Sequence, residues 1–371
     1  MAFKQKTLNI FFLIDEALKR HLPLAAFRLP AESSVQLILQ DSPSLNVLGK
    51  DSKLLEQKGF AFFPFVNSSL PQVLIKADYH VVDDENLSDE TLISILRKFN
   101  FSENGYYRPV PHASSKKEFC EGVAFLLREI ANGSITKAVL SRVLLHSQKK
   151  NFQPVNYFRS LLKLYPQAMA YMVYLPRTGF WIGATPELLV QTENDLLSTV
   201  SLAGTKKQET APVKWGLKEL MEHKIVTDHI KSCLDKYFDD FEMRGPDTIQ
   251  AGPVAHLKTS FLVKSSKLHI RHVLDDLLKE LHPTPAVAGV PRETALALLA
   301  KTEKHDRAYY AGFLGPVELH EKTQLFVNLR CMEVLHERLA LYAGAGITAN
   351  SNPEKEWEET QLKAQTLLNA L

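Results

Sequence analysis

Four glutamates occur as two pairs with the same helical spacing. Glu219 and Glu222 lie three residues apart in one predicted helix, and Glu356 and Glu359 repeat that spacing in the last predicted helix. Residues three apart share a helix face, and carboxylates suit a hard cation such as Mg²⁺, which prefers oxygen ligands. Lys363 follows four residues after Glu359 on the same face. Two interpretations remain open: a magnesium site, or two solvated helix faces.

A glycine-rich run follows a predicted strand. Residues 341–349 are Leu-Tyr-Ala-Gly-Ala-Gly-Ile-Thr-Ala, which imitates a dinucleotide-binding fingerprint. That fingerprint requires a second strand and an acidic residue about 20 positions further on, where this chain has Asn369. The pattern therefore favours another use for Gly344 and Gly346, which is to let backbone N–H groups approach an anionic ligand.

Two proline-containing segments could hold polar groups in fixed positions. In the run Gly-Ala-Thr-Pro-Glu at 183–187, the proline could present the carboxylate of Glu187 from a fixed turn, or that turn could simply be exposed. Two prolines and a glycine in 281–289 indicate an irregular loop, which could equally be structural. The sequence has no HExxH motif, and His269 and His272 alternate with apolar residues, so zinc is not predicted.

The composition limits the remaining classes of protein. The chain has 371 residues and a formal net charge of +2, without a long Lys/Arg block, so nucleic-acid binding is not predicted. Cys120, Cys233 and Cys331 are widely separated, which favours free thiols in a reducing cytosol. The apolar run at 8–14 is too short to span a membrane. We therefore expect a cytoplasmic protein that does not bind membranes.

The elements that position these residues are clearest after residue 112. Ser115 and Glu118 have capping-box spacing ahead of a helix over 119–130. Further helices are predicted over 10–22, 89–99, 154–164, 213–238, 273–281, 293–304 and 353–369. Strands are predicted over 35–39, 73–77, 137–146, 168–175, 179–182, 196–202, 253–257, 261–263, 313–318, 325–333 and 339–343. Because strands come in adjacent runs, the pattern predicts an α+β fold with a mostly antiparallel sheet.

Several segments, in this order, resemble the chorismate-utilising enzymes, which include isochorismate, salicylate, anthranilate and aminodeoxychorismate synthases. The segments are Lys137–Arg142, Gly183–Leu189, Leu202–Thr205, Lys218–His223, His256–Thr259, Leu281–Ala286, Tyr310–Gly312, Asn328–Arg330, Gly344–Ile347 and Pro353–Glu359. The resemblance covers residues 112–371 and assigns 1–111 to a variable N-terminal part of the same domain. It implies a single large domain of two packed, mostly antiparallel β-sheets with helices outside.

Three positions distinguish branches of that family. Members that use ammonia resemble this chain but carry Gln where Lys137 stands, because water needs a base and ammonia does not. The aminodeoxychorismate branch carries a nucleophilic lysine where Ala203 stands, and salicylate synthases often carry Thr at the position of Ala286. The resemblance therefore implies an isomerase that makes isochorismate from chorismate. Salicylate synthesis and a non-catalytic chorismate-binding regulatory protein are the alternatives.

The resemblance also implies catalytic roles. Lys137, in its neutral form, would be the general base that activates water for attack on ring carbon 2. Glu187 would be the general acid for the departing C4 hydroxyl, which requires a protonated carboxyl near neutral pH in a shielded site.

Further residues would bind the metal and the substrate. The implied Mg²⁺ ligands are Glu222 and Glu359 directly, and Glu219 and Glu356 through water. The implied substrate-binding residues are Thr205, His256, Ala286, Tyr310, Arg330, Gly344, Gly346 and Lys363. A monomer without a glutaminase subunit is expected, and its product would enter menaquinone or siderophore biosynthesis.

Overall fold

The computed structural model of the chain describes residues 9–49, 52–66, 68–83, 108–207, 213–251 and 254–371. The helix predicted over 89–99 lies outside these ranges. Seven helices fall within them: α1 (Ile10–Lys19), α2 (Lys116–Ala131), α3 (Pro154–Leu164), α4 (Leu217–Leu234), α5 (Lys267–Leu281), α6 (Arg292–Thr302) and α7 (Pro353–Leu368). All seven were predicted; α3 has the predicted bounds, and each of the others differs at one end or both.

The strands of the described residues form two sheets. They are β1 (Leu24–Arg28), β2 (Gln36–Leu39), β3 (Gly59–Phe63), β4 (Val73–Lys76), β5 (Tyr79–Val82), β6 (Lys137–Ser147), β7 (Met169–Leu175), β8 (Gly179–Thr185), β9 (Leu188–Glu193), β10 (Leu196–Lys207), β11 (Glu242–Ala251), β12 (Val254–Lys264), β13 (Gly289–Val290), β14 (Phe313–Val317), β15 (Lys322–Val327), β16 (Cys331–Val334) and β17 (Arg338–Ile347). The nine-stranded sheet has the order β13-β6-β17-β16-β8-β7-β1-β2-β5. The eight-stranded sheet has the order β11-β12-β10-β9-β15-β14-β3-β4.

The neighbouring strands of both sheets run antiparallel, for example β6 with β17 and β10 with β12. The predicted α+β class with two mostly antiparallel sheets is therefore confirmed. Strands from before residue 84 extend both sheets, so this N-terminal part packs together with the rest of the chain. The boundary at 111/112 stays a prediction.

The largest hydrophobic core contains aromatic side chains from both sheets. Phe27 of one sheet lies 5.1 Å from Phe60 of the other between ring centroids, and Phe62 stacks on Tyr309 at 3.9 Å. A second cluster, which includes Phe158 of α3, packs against the nine-stranded sheet. Buried aromatic pairs of this kind contribute large apolar areas and fixed geometry. The two sheets therefore form a rigid frame for the loops between them.

Local sequence signals fix the helices that approach the site. The predicted capping box is confirmed, since Glu118 N–H donates to Ser115 Oγ at 3.2 Å and Ser115 N–H donates to the Glu118 carboxylate at 2.8 Å. At α7, the Asn352 side chain accepts from two backbone N–H groups, and Pro353 occupies the first turn. These caps fix where the acid-bearing turn of α7 begins.

One strand prediction was wrong in an informative way. The sequence predicts a single strand over 325–333, but β15 ends at Val327 in the eight-stranded sheet and β16 begins at Cys331 in the nine-stranded sheet. Between them Arg330 has φ +48°, which is incompatible with a continuing strand. The apolar pattern predicts both halves but not the crossover between the sheets.

Other boundaries also differ. The two short strands predicted at 253–257 and 261–263 are one strand, β12, which pairs with the unpredicted edge strand β11. The helix predicted from 213 begins at Leu217, because Gly216 is the N-cap and donates its N–H to Glu219 at 2.8 Å. Within the described residues, no helix combines the length and apolar character needed to cross a membrane.

Candidate active site

Ten of the fourteen predicted site residues line one cavity. They are Glu187, Thr205, Glu222, His256, Ala286, Tyr310, Arg330, Gly344, Gly346 and Lys363. Its enclosed volume is about 60 Å³, and an adjoining cavity of about 1090 Å³ shares three of its walls, Pro186, Leu202 and Arg330. The motifs are far apart in sequence, and the two sheets bring them to one place.

Lys137 is buried at the start of β6 and is paired with Glu222 of α4. Its Nζ lies 3.0 Å from Glu222 Oε1, and its side chain has no exposed surface. Gly346 of β17 leaves room for this pair, because a Cβ there would lie 2.3 Å from Glu222 Oε1 and 3.3 Å from Lys137 Cε. A residue with any side chain at 346 would therefore separate the predicted base from the predicted metal ligand.

Glu187 is presented by a rigid turn between β8 and β9. The Thr185 hydroxyl donates to the Val327 carbonyl at 2.5 Å, and Val327 N–H donates to the Glu187 carbonyl at 2.9 Å. Pro186 restricts the backbone between these two bonds. The alternative of an exposed turn is wrong, since only 4% of Glu187 is exposed.

The surroundings of Glu187 favour its neutral form. Burial raises the pKa of this carboxyl to about 8, although the charges of Lys137, Lys363 and Arg330 act in the opposite direction. A carboxyl with this pKa is mostly protonated at neutral pH and has a proton to donate.

Arg330 lies in the crossover between the sheets and is held by two neighbours. Its guanidinium donates to Thr366 Oγ1 at 3.0 Å and to His256 Nε2 at 3.3 Å. Arginine only donates, so Nε2 accepts and the proton of His256 lies on Nδ1. That Nδ1–H donates to the Gly204 carbonyl at 3.1 Å, where Gly204 forms a bulge in β10 with φ +74°. Burial and Arg330 lower the pKa of His256 to about 3, so its ring is neutral.

Lys363 connects α7 to the glycine-rich strand. Its Nζ donates to the Gly344 carbonyl at 2.8 Å and lies 2.7 Å from Glu359 Oε1. Among the described residues, β16 pairs with β17 only as far as Leu341, so the later part of β17 pairs with β6 alone. An unpaired strand edge offers backbone groups to a ligand, which agrees with the prediction for Gly344 and Gly346.

The four glutamates of the two acidic helices have different partners. Glu222 faces the cavity, and Glu359 adjoins it through Lys363. Glu219 instead accepts the N–H of Gly216 at 2.8 Å and caps its own helix. Glu356 is 1% exposed and pairs with Lys218 Nζ at 2.5 Å. The structure therefore pairs Glu222, Glu356 and Glu359 with one lysine each, and turns Glu219 toward the end of its own helix.

These residues fit a hard cation in their chemistry. As placed, no three His, Cys, Asp or Glu side chains in the described part of the chain converge closely enough to hold a metal ion. Yet Glu356 Oε2 is buried without a hydrogen-bond partner, and burial and the nearby Glu359 carboxylate raise the pKa of Glu356. An orphaned carboxylate oxygen beside another carboxylate is a donor set suited to Mg²⁺.

Two basic residues near the cavity were not assigned roles from the sequence. Arg307, paired with Glu303 at 2.6 Å, donates to the carbonyls of Val139 and Val287, which both line the cavity. No motif marks it. Lys218 lies four residues before Glu222, and this helical spacing was a usable signal.

Comparisons with known proteins agree with this geometry. The family model described as "Chorismate binding enzyme" matches residues 84–371. The chain is 31% identical to the vibriobactin-specific isochorismate synthase of Vibrio cholerae over 266 residues, which cover 69% of this chain and 67% of the relative. It is 30% identical to anthranilate synthase component 1 of Aquifex aeolicus over 269 residues, which cover 69% and 53%.

A solved structure has the same fold over nearly the full length. It is the crystal structure described as a putative 2,3-dihydroxybenzoate-specific isochorismate synthase, DhbC, from Bacillus anthracis. The TM-score is 0.76 at 25% identity, and the match covers 96% of this chain and 98% of that one.

Proposed function

This chain belongs to the family of chorismate-binding enzymes, and from that premise we propose that it is an isochorismate synthase, an isomerase that converts chorismate into isochorismate. Relatives named as isochorismate synthases support this activity. The observation that carries it is the placement of the two predicted proton-transfer groups. Glu187, with its raised pKa, lines the cavity and can act as an acid. Lys137, which can act as a base for water, is paired with Glu222, and Glu222 lines the same cavity.

The two residues divide the proton transfers between them. Neutral Lys137 takes a proton from water as its oxygen bonds to ring carbon 2 of chorismate. The ring double bonds shift, and the C4 hydroxyl leaves as water with the proton of Glu187. One oxygen is gained and one is lost, so the product is an isomer. Each turnover leaves Lys137 protonated and Glu187 ionised, and a proton must return to Glu187 before the next.

The remaining cavity residues bind the substrate as an anion. Arg330 offers a planar fork of donors that matches a carboxylate, and its bond to the neutral ring of His256 fixes its direction. Lys363 adds a second positive charge. Tyr310 is buried, which raises the pKa of its hydroxyl and keeps it a neutral donor. We assign the pyruvyl carboxylate of chorismate to this group, together with the backbone of β17.

Magnesium is the proposed cofactor. Glu222 and Glu359 would hold it, with Glu356 and Glu219 acting through water, and it would neutralise the ring carboxylate of chorismate. Lys137 is paired with Glu222 at 3.0 Å, so a divalent cation held by that carboxylate would compete with the proposed base for its counterion.

The choice of branch depends on individual side chains. Lys137 favours water over ammonia, and Ala203, which lines the cavity, has no nucleophile with which to form a covalent intermediate. Ala286 also lines the cavity, and it favours stopping at isochorismate over elimination of pyruvate. The proposed protein is a cytoplasmic monomer without a glutaminase subunit. The free thiols of all three cysteines support the reducing compartment.

A product assay tests the proposal. The purified protein with chorismate and Mg²⁺ at neutral pH is expected to give isochorismate, resolved by chromatography, with little salicylate. EDTA should abolish turnover, and added Mg²⁺ should restore it. Salicylate and pyruvate as main products would move the chain to the salicylate branch. Anthranilate formed from ammonium would contradict the assignment of Lys137 as the base for water.

A further inference from the structure

Lys218 is a lysine of the acidic helices that the proposed reaction does not use. It lies one turn before Glu222 on α4, and its Nζ is 2.5 Å from Glu356 Oε1 on α7. The pair therefore joins the two helices whose carboxylates form the proposed cation site. Glu356 is 1% exposed at its side chain, but Lys218 is 24% exposed and has a path to solvent.

All three carboxylates of this site act on the one ammonium. Burial opposes the charge of Lys218, but Glu356, Glu359 and Glu222 together raise its pKa. Its ammonium contacts Glu356 directly and lies in the electrostatic field of the other two carboxylates. The second oxygen of Glu356 is buried and has no hydrogen-bond partner, although a lysine ammonium has three donors. Lys218 therefore leaves one buried carboxylate oxygen of this site without a hydrogen-bond donor.

The charges of the site balance without a metal ion. Glu222, Glu356 and Glu359 are each paired with one lysine, namely Lys137, Lys218 and Lys363. A divalent cation added to this balanced set would leave an excess of two positive charges in a buried place, which is costly. Departure of one lysine reduces that excess. Lys137 is fully buried and Lys363 is tied to Gly344, so Lys218 is the lysine best able to leave.

We propose that the Lys218 ammonium occupies the position of the divalent cation in the metal-free protein, and that it must swing out to solvent before Mg²⁺ binds. Lys218 is then an internal competitor that keeps the two acidic helices together when no metal is bound. This inference rests on the proposed magnesium site. The alternative is that Lys218 and Glu356 form a structural ion pair that persists whether or not Mg²⁺ is bound.

Metal binding without substrate separates these two possibilities. Mg²⁺ is titrated into the metal-free full-length protein by calorimetry, for the wild type and for Lys218→Met. If the ammonium blocks the site in about nine of ten molecules, its removal should tighten Mg²⁺ binding on the order of tenfold. The melting temperature of metal-free Lys218→Met should fall, because its carboxylates lack a counterion, and saturating Mg²⁺ should restore it.

A matched control removes the same charge nearby. Lys206 lies 3.5 Å from Glu219 and is 35% exposed, so Lys206→Met should change Mg²⁺ affinity by about twofold or less. Lys218→Gln serves if Lys218→Met does not fold. The proposal that Lys218 competes with Mg²⁺ would be wrong if both Lys218 variants bound Mg²⁺ no more tightly than the wild type. It would also be wrong if Lys206→Met gained as much Mg²⁺ affinity as Lys218→Met. Turnover of chorismate by the wild type is measured separately. A failure of the proposed isochorismate synthase activity is then distinguished from a failure of the Lys218 proposal.

Discussion

The two ends of the cavity contain the same kind of residue in different charge states. Glu187 is 4% exposed and the Glu222 side chain is 16% exposed, and both line the same space. Burial raises the pKa of Glu187 to about 8. Burial also acts to raise the pKa of Glu222, but the ammoniums of Lys137, Lys363 and Lys218 outweigh it and lower that pKa. The Lys137 ammonium at 3.0 Å from Glu222 makes this difference.

This contrast shows how one fold can supply an acid and an anion within a single pocket. At the Glu187 end, the basic groups attract the carboxylate too weakly to offset its lost hydration. At the end formed by α4 and α7, each carboxylate has a lysine partner. One end can therefore donate a proton while the other keeps the negative charge that holds a cation.

The largest expected effect comes from removing the acid. Glu187→Gln preserves size and burial but has no acidic proton, so kcat should fall by roughly 10²–10⁴-fold. KM for chorismate should change little, because Arg330 and Lys363 remain. Steady-state kinetics with chorismate and saturating Mg²⁺ measures both constants. A near-normal kcat with a steeply raised KM would make Glu187 a binding residue.

Lys137→Gln is the matched comparison at the other proton-transfer site. It should be similarly slow with water, because no base remains. Added ammonium is expected to give some aminated product in this variant, since ammonia brings its own lone pair, whereas Glu187→Gln should be slow with either nucleophile. An identical response of the two variants to ammonium would contradict the division into base and acid.

A smaller effect is expected at the anionic end. Glu222→Gln removes one charge from the cation site, so the Mg²⁺ concentration for half-maximal activity should rise by roughly 10–100-fold, the range for altered metal-site partners. Measurement of activity against free Mg²⁺ shows the shift. In Glu219→Ala the main loss should be the helix cap, about 1 kcal/mol of stability, with a lesser effect on Mg²⁺. Equal Mg²⁺ shifts in both variants would argue that Glu219 also holds the cation through water.

The smallest effect is thermodynamic and depends on pH. The folded state holds the Glu187 proton up to about pH 8, whereas the unfolded chain releases it near pH 4.5. Stability is therefore lost as pH rises between these values. Glu187→Gln lacks this loss, so its melting temperature should exceed that of the wild type by a few degrees at pH 8 and by less at pH 5. A constant difference between the two pH values would mean that Glu187 is not neutral in the folded protein.

The sequence located candidate site residues better than it located the backbone that positions them. Glu187 and Arg330 were chosen from their motifs, and both line one cavity, while their roles stay predictions. The crossover at 328–330 was missed, since an apolar run has the same pattern whether it stays in one sheet or changes sheets. Lys218 was given no role. Its spacing from Glu222 indicates a shared helix face, but its partner Glu356 lies 138 positions away, and only the folded chain brings α4 and α7 together.

The left-handed backbone at Arg330 sets two effects of one substitution against each other. An L-residue with a side chain adopts this conformation at a cost of roughly 1–2 kcal/mol, whereas glycine does so without that cost. Glycine at 330 would remove that cost, but it would also remove the guanidinium that donates to Thr366 and His256. Because the same side chain lines the cavity, a screen of this protein for heat tolerance needs an activity counter-screen at this position.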